Sequence, residues 1–544
     1  MSPGWPTAKV VATRGGRILS VGDTLDDLKP WTDRHPFEID RTFEDKILTP
    51  GFIDPHQHPL LGALLPNLPN VAYLDTPQAY GPDIAGVTSE AEVFARLKKY
   101  DADLADPAET LLAWGWDVPA MGRHLTRHDL DRLSTTRPIA VWDASEHHAY
   151  VNTAFIRNRK VPRDLGILGV GHDADGELNG QFLGVPAATY ALGSEVPKYL
   201  SVENSTRLMR FLIDLNRRNG ITTTTDHSTG SLSYDLEIHL LDSIFNKPET
   251  PERLMSIVSA EAIVARYGGV EKATAALREL QAKSTDRLMF RGVKFFTDDS
   301  FNGLTFKPGM PGYIDGTEGI WITPPAKLYD AIEPWWRDGH QIFVHSIGEE
   351  AQEVTIDTLR RLLDKYPRFD HRFTFEHFGM ARYDQVRKIK AMGASASVNV
   401  YYVWLRAGMY PDVIGRDRAH RLSPVATLLR AGVPTTFHSD TPVAPPKPLL
   451  GMSVAVARYT HADTTTLGPE ERLTIDQAMR MATIDAAYVL GLDHIVGSIE
   501  PGKFADFTVL EQDPYQVDAL ALAKIPVWGT IVGGNVFPAG EIKE

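Results

Sequence analysis

The sequence predicts an α/β protein: a (β/α)8 TIM barrel with a small β-sandwich domain built from both termini and an inserted α/β subdomain. Three observations predict it. Short apolar, β-branched runs recur along the chain, helical patterns separate most of them, and several of those helices stop on a glycine just before the next run. An open doubly wound sheet is the alternative this rhythm allows.

In chain order, AKVVATRGGRILSVGD (8–23) reads as two strands and a turn. ILTPGFIDPHQH (47–58) reads as the first barrel strand. The stretch from Pro59 to Ser205 is too long for one loop and holds strand-like runs of its own, TLLAWGWDV (110–118) and RPIAVWDAS (137–145). It is expected to form a subdomain over the barrel's C-terminal face. The helix STRLMRFLIDLNRRNG (205–220) ends on Gly220, a glycine placed to cap it, and leads into GITTTTDH (220–227). Five more strands are expected: RLMSIVSA (253–260), RGVKFFTDD (291–299), QIFVHS (341–346), RFTFEHF (372–378) and ASASVNV (394–400). PTTFHSD (434–440) completes the eight. Helices are expected at 271–283, 351–366, 383–393 and 423–432. GSIEPGKFADFTVLEQD (497–513) and the hairpin WGTIVGGNVF (528–537) return to the β-domain. The expected division is 1–48 and 496–544 for the β-sandwich, 49–71 for the first barrel strand, 72–204 for the insertion and 205–495 for the remaining barrel.

Composition narrows the function. The 544 residues include 56 Lys and Arg against 70 Asp and Glu, a net charge of −14. That sign gives no electrostatic footprint for nucleic acid or an anionic membrane. There is no cysteine, which removes disulfides, thiolate metal sites, iron–sulfur clusters and a Cys nucleophile together. No apolar run is long enough to span a membrane, and the N-terminus has no signal-peptide core, so a cytoplasmic protein is expected.

His56 and His58 flank one residue at the end of an apolar strand, where i and i+2 point the same way. Further strand ends carry Lys294, His345, His377 and Asp440, the side of a barrel where functional groups collect. Taken singly, each has an ordinary structural explanation; in this order they read as a metal site. Two other motifs fail. GSIEPGKF (497–504) has Phe504 where a phosphate loop needs a hydroxyl, and DADGE (173–177) lacks the later ligands of a calcium loop and reads as a turn.

On these residues the sequence resembles the amidohydrolase superfamily, in its amidohydrolase-3 branch that includes YtcJ-like proteins and N-substituted formamide deformylases. LTPGFIDPHQHP, WGWDVP, HHAYVN, GVKFFTDDS, VHSIGEEA, FEHF, HSDTPV and GSIEPGKFADFTVL carry the resemblance over nearly the whole chain. It implies two divalent ions, often zinc. His56, His58 and Asp440 would hold one and His345 and His377 the other, with Lys294 bridging as an N-carboxylated lysine. It also implies hydrolysis of a non-peptide C–N bond, in an amide or formamide, by metal-bound hydroxide, with Asp440 as base and then acid. Segments the family places near its site add Trp116, Asp117, His148, Tyr401, Trp404 and His438 as substrate contacts; His147 reads as a surface residue. The expected partner is a small-molecule substrate, and further copies of the chain where an oligomer forms.

The sequence departs from the family pattern at several places. Thr225 stands where a His is usual, with His227 just after Asp226. Gly184 replaces a Glu, and His438 replaces a Gly. The opening strand of the β-domain is missing before the run that begins near Val10. Deaminases of the superfamily place a Glu three residues after the fifth-strand His; here that position is Gly348, with Glu349 and Glu350 following. Deamination and ester or lactone hydrolysis are the rival reactions. A non-catalytic binding protein is a weaker rival, because all six ligand positions are filled.

Overall fold

A computed structural model describes residues 7–540. The expected β-domain segments extend beyond them at 1–6 and 541–544. Eight parallel strands form one sheet in sequential order: β1 (Phe52–Asp54), β2 (Ile221–Thr229), β3 (Arg253–Ser259), β4 (Leu288–Phe296), β5 (Ile342–Ser346), β6 (Thr374–His377), β7 (Ser395–Val398) and β8 (Thr435–Phe437). Beyond the last ladder the two edges meet. Asp440 N donates to His56 O (3.0 Å) and His58 N to Thr441 O (3.3 Å). These bonds draw the sheet into a barrel and exclude the open doubly wound alternative, and they lie at the C-terminal ends of β1 and β8.

Alternation along the strands sorts inside from outside. On β5, Ile342 and Val344 join an outer cluster with Trp335 and Leu359 of the surrounding helices. Phe343 joins an inner cluster with Ile53, Met255 and Ile257. His345, two residues after Phe343, therefore shares the inner face. The helix Val202–Arg218 ends as the sequence predicts, with Gly220 at φ 80° turning the chain into β2.

The run 47–58 is not one strand. Ile47–Pro50 pairs antiparallel with Phe507–Leu510, which pairs with Val527–Val532 and then Asn535–Pro538. Only Phe52–Asp54 enters the barrel. The pivot is Gly51, where a Cβ would stand 2.0 Å from Thr222 Oγ1. The antiparallel sheet thus draws on both ends of the chain. The hairpin Val10–Arg14/Arg17–Gly22 packs on it through Ile18, which shares a core with Phe507, Val509 and Ile531.

Between β1 and β2 lies a mixed five-stranded sheet in the order Leu111–Trp116, Ile139–Asp143, Ala149–Val151, Leu178–Phe182, Val170–His172. The first two strands are the runs expected from sequence. The last two form a hairpin whose turn is 173–177, closed by Gly176 N donating to Asp173 O (2.9 Å). Among the described residues no helix is long and apolar enough to cross a membrane.

Candidate metal centre

Six side chains expected from sequence gather at the C-terminal mouth of the barrel. His56 Nε2 and His58 Nε2 lie 3.4 and 3.3 Å from Asp440 Oδ1, and His377 Nδ1 lies 3.4 Å from Asp440 Oδ2. Lys294 Nζ is 3.3 Å from His56 Nε2. The rings of His345 and His377 are 4.4 Å apart. His345 stands at the edge of the group. Its Nε2 is 3.2 Å from the Asp299 carbonyl oxygen, and bonding there leaves Nδ1 free.

Two of these residues leave their strands in a left-handed conformation, His377 at φ 68° and Asp440 at φ 61°. Non-glycine residues held there carry strain of about 1–3 kcal/mol each, which surrounding structure must hold in place, and such strain gathers at functional sites. At β6 the consequence is direct. Glu376 pairs in register with His345 and so faces the interior. Regular alternation would turn His377 outward; the left-handed turn brings it inside as well.

Glu376 is the residue that sequence reasoning missed. It is fully buried and its Oε2 accepts from His56 Nδ1 at 2.7 Å. With Glu376 as the carboxylate, that bond places the proton on Nδ1 and leaves Nε2 with a lone pair facing Lys294 and Asp440; burial raises Glu376 to about 8, against the pull of Lys294. The His227 ring stacks on His56 at 3.8 Å, and its Nε2 lies 3.4 Å from Glu376 Oε1. His438 Nδ1 bonds Ser397 Oγ (2.6 Å), and its Nε2 is 3.2 Å from His377 Nδ1.

The electrostatics suit metal ligation. Burial lowers the imidazoles of His56, His227, His345 and His377 well below the usual value, and His438 to about 3. Neutral rings keep a lone pair for a cation. Burial brings the Lys294 amine down to about 8, against the pull of Glu376 and Asp440. Burial raises the Asp440 carboxyl, but the hydrogen bond and charge of His58, with His438 and Lys294, outweigh it and hold the group at about 2. Among the described residues, three groups have potential ligand atoms within 4.8 Å of one another: His56–His58–Asp440, His56–His377–His438 and His56–His227–Glu376. His345 belongs to none of them. The donor set is all nitrogen and oxygen, and two atoms within it, His227 Nε2 and Glu376 Oε1, are buried without a hydrogen-bond partner. Neutral imidazoles converging on one carboxylate are what a divalent cation requires.

The family model for the amidohydrolase family matches residues 43–538. The chain belongs to the amidohydrolase family. Among its relatives, "Putative amidohydrolase YtcJ" of Bacillus subtilis is 25% identical, over 90% of this chain and 88% of that one. "N-substituted formamide deformylase" of Arthrobacter pascens is 24% identical, over 97% and 94%. "Protein LONG AFTER FAR-RED 3" of Arabidopsis thaliana is 25% identical, over 97% and 88%. Among solved structures, an uncharacterized metal-dependent hydrolase from Pyrococcus horikoshii superposes with a TM-score of 0.67 at 20% identity, covering 94% of each chain. That likeness supports the barrel fold.

In this amidohydrolase the gathered side chains form one end of a cavity of about 210 Å³. Its walls come from barrel and insertion alike: Leu61, Trp142, Leu192, Val196, Phe296 and Tyr402 make it largely apolar. None of the six residues expected to touch substrate lines it, because each is engaged in the wall behind. Trp116 is fully buried and donates Nε1 to Arg123 O (3.0 Å). Asp117 caps the turn Val118–Met121 and binds Arg406 through both oxygens (2.9 and 2.8 Å). Arg406 Nε in turn donates to Asn302 Oδ1 (2.8 Å), and Asn302 does line the cavity, so Asp117 acts at one remove. Tyr401 donates its hydroxyl to Lys447 O (2.8 Å), Trp404 packs on His461 with rings 4.6 Å apart, and His438 sits beneath His377.

His148 is buried between Asp143 (3.2 Å) and Asp299 (3.1 Å). Burial lowers its imidazole, but the two carboxylates prevail and raise it to about 10. His147, expected at the surface, instead lines the cavity and holds Asp299 Oδ1 at 2.5 Å. The turn that follows Ile139–Asp143 folds both histidines toward the barrel.

Replacing Glu376 by Gln keeps the shape and exchanges the carboxyl oxygen pair that orients His56 for an amide. Metal affinity, measured by competition with a chelator, is expected to fall about 10–100-fold while the circular dichroism spectrum stays that of the wild type. Unchanged affinity would remove Glu376 from the site.

Proposed function

We propose that this amidohydrolase is a metal-dependent hydrolase of a non-peptide C–N bond, in an amide or formamide. The observation that carries the proposal is the convergence of His56, His58, Lys294, His377 and Asp440 at the barrel mouth, at the closed end of a small apolar cavity. The relative named as an N-substituted formamide deformylase supports the bond type. In this reading His56, His58 and Asp440 hold one ion, and His345 and His377 hold a second. Lys294, as the carbamate it would form with CO2, would supply oxygen donors to both, and the neutral amine that carboxylation needs is favoured by burial. Divalent ions held there, zinc in this proposal, would lower the pKa of water and polarise the scissile carbonyl. Asp440, ionised at neutral pH, takes the proton of the attacking water and delivers it to the leaving nitrogen. The water oxygen joins the carbonyl carbon, the C–N bond breaks, and acid and amine leave. His438 and Glu376 orient His377 and His56.

Deamination has less support. A Cβ at Gly348 would stand 1.8 Å from Lys307 O, so no glutamate fits there. Glu349 turns away and pairs with Arg418 Nη2 at 2.8 Å.

The test is metal content per chain after purification without chelator, by inductively coupled plasma mass spectrometry. About two transition-metal ions per chain are expected, with hydrolysis of N-acyl or N-formyl amines abolished by a chelator and restored by the metal. No metal, and no uptake of zinc or manganese, would overturn the proposal.

A further inference from the structure

One charged group in the cavity has no part in the metal centre. Glu146 sits in the turn after Ile139–Asp143, at φ 69°, a left-handed conformation that costs a non-glycine residue energy. The turn is tied down at both ends of the peptide: Glu146 N donates to Asp143 O (3.2 Å), and Trp142 Nε1 donates to Glu146 O (2.9 Å). This turn places Glu146 among the residues of the cavity wall. Its Oε1 is sealed from water and has no hydrogen-bond partner. A carboxyl left so is costly unless a ligand completes it.

The rest of the lining says which ligand. Lys294 is the one Lys or Arg side chain among the lining residues, and it belongs to the metal centre. His147 is already held by Asp299. Outside the metal centre no Lys or Arg among the lining residues waits to receive an anion. Around Glu146 the wall is apolar, with Trp142, Leu192 and Val196 among its members.

We propose that Glu146 is a specificity residue that receives a basic nitrogen on the substrate, so that the preferred substrates are N-acylated amines whose apolar body carries a second, cationic amine. A substrate ending in a carboxylate, such as an N-acyl amino acid, is disfavoured. The ammonium supplies hydrogen-bond donors to the carboxyl at the cavity wall, and the apolar wall takes the chain between the two nitrogens. Burial raises the free carboxyl well above its usual range, with Asp440 and Asp143 adding to the effect, and a bound ammonium would favour its ionised form.

The proposal rests on the amide-hydrolase reading for its substrate, so its test is binding. Phenylbutylamine and phenylbutanol are titrated calorimetrically into the metal-loaded protein. The amine is expected to bind about tenfold more tightly than the alcohol in the wild type, and within about twofold of it in Glu146→Gln. Glu146→Asp, which keeps the charge, is expected to retain part of the preference and serves if Glu146→Gln does not fold. Equal binding in the wild type overturns the proposal. So does a preference that survives in Glu146→Gln, which would show the amine held by the metal centre instead. Turnover is scored separately, on N-formyl derivatives of a diamine and of a matched monoamine. Hydrolysis of neither, with the Glu146-dependent preference intact, sinks the hydrolase reading and leaves this one standing.

Discussion

Replacing Lys294 by Ala is expected to cost more than about 100-fold in kcat/KM and to remove bridged metal, leaving the barrel folded. The residue is buried in β4 with its amine 3.3 Å from His56 Nε2, and it shares no apolar cluster. Truncation leaves a small polar cavity beside imidazoles that burial already keeps neutral, and Asp440 keeps His58 and His438 as partners when the Lys294 charge is lost. Fold and function should therefore separate. The circular dichroism spectrum should match the wild type while metal per chain falls from about two to one or none. Adding a short carboxylate such as acetate or propionate offers a second readout: partial recovery of bound metal would locate the lost group as an oxygen donor. Wild-type metal content and rate in the Ala variant would remove Lys294 from the centre.

How much of this was legible in the sequence depends on which residues obey strand alternation. Lys294 and His345 follow it, while His56 and His58 keep the same-side spacing of i and i+2 but lie past the end of β1, where the chain has left the alternation that puts Ile53 inside. His377 and Asp440 do not follow it, since both leave their strands with positive φ. They were found because of their place at strand ends. Glu376 stayed hidden for the same reason: with His377 assigned to the interior, alternation puts its neighbour outside, and only the backbone turn lets both face inward. The signal that could have revealed it is an acid inside an apolar strand, FTFEHF, with no solvent face to occupy. Gly51 shows a similar limit. Its run is continuously apolar because both halves are buried, yet they belong to two sheets, and the break depends on Thr222, distant in sequence. The substrate contacts were the least legible. Trp116, Asp117 and Trp404 lie in segments near the cavity, but which face of a segment looks inward is set by tertiary packing. Asp117 is turned away by Arg406, its buried partner across 289 residues of chain.

The conservative change Asp440→Asn asks a sharper question than removal of Lys294, because it keeps the shape of the side chain and one oxygen donor. Asp440 sits on the seam that closes the barrel, its N donating to His56 O, and this backbone bond is independent of the side chain. The carboxylate has two tasks in the proposed function: it faces His56 and His58 through Oδ1 and His377 through Oδ2, and it carries a proton. An amide cannot accept and release that proton near neutral pH. The expected result is a fall in kcat of about 10²–10⁴-fold. At least one ion should remain per chain, because His56 and His58, or His345 and His377, still offer their nitrogens. The two tasks then separate by measurement. A loss of rate that tracks a complete loss of metal would make Asp440 a ligand alone, and metal restored at high concentration would restore the rate. A loss of rate that persists with the ions saturated assigns the proton to Asp440. A rate within about tenfold of the wild type would place the base elsewhere, and the cavity-lining imidazole of His147, held by Asp299 at 2.5 Å, would be the next residue to replace.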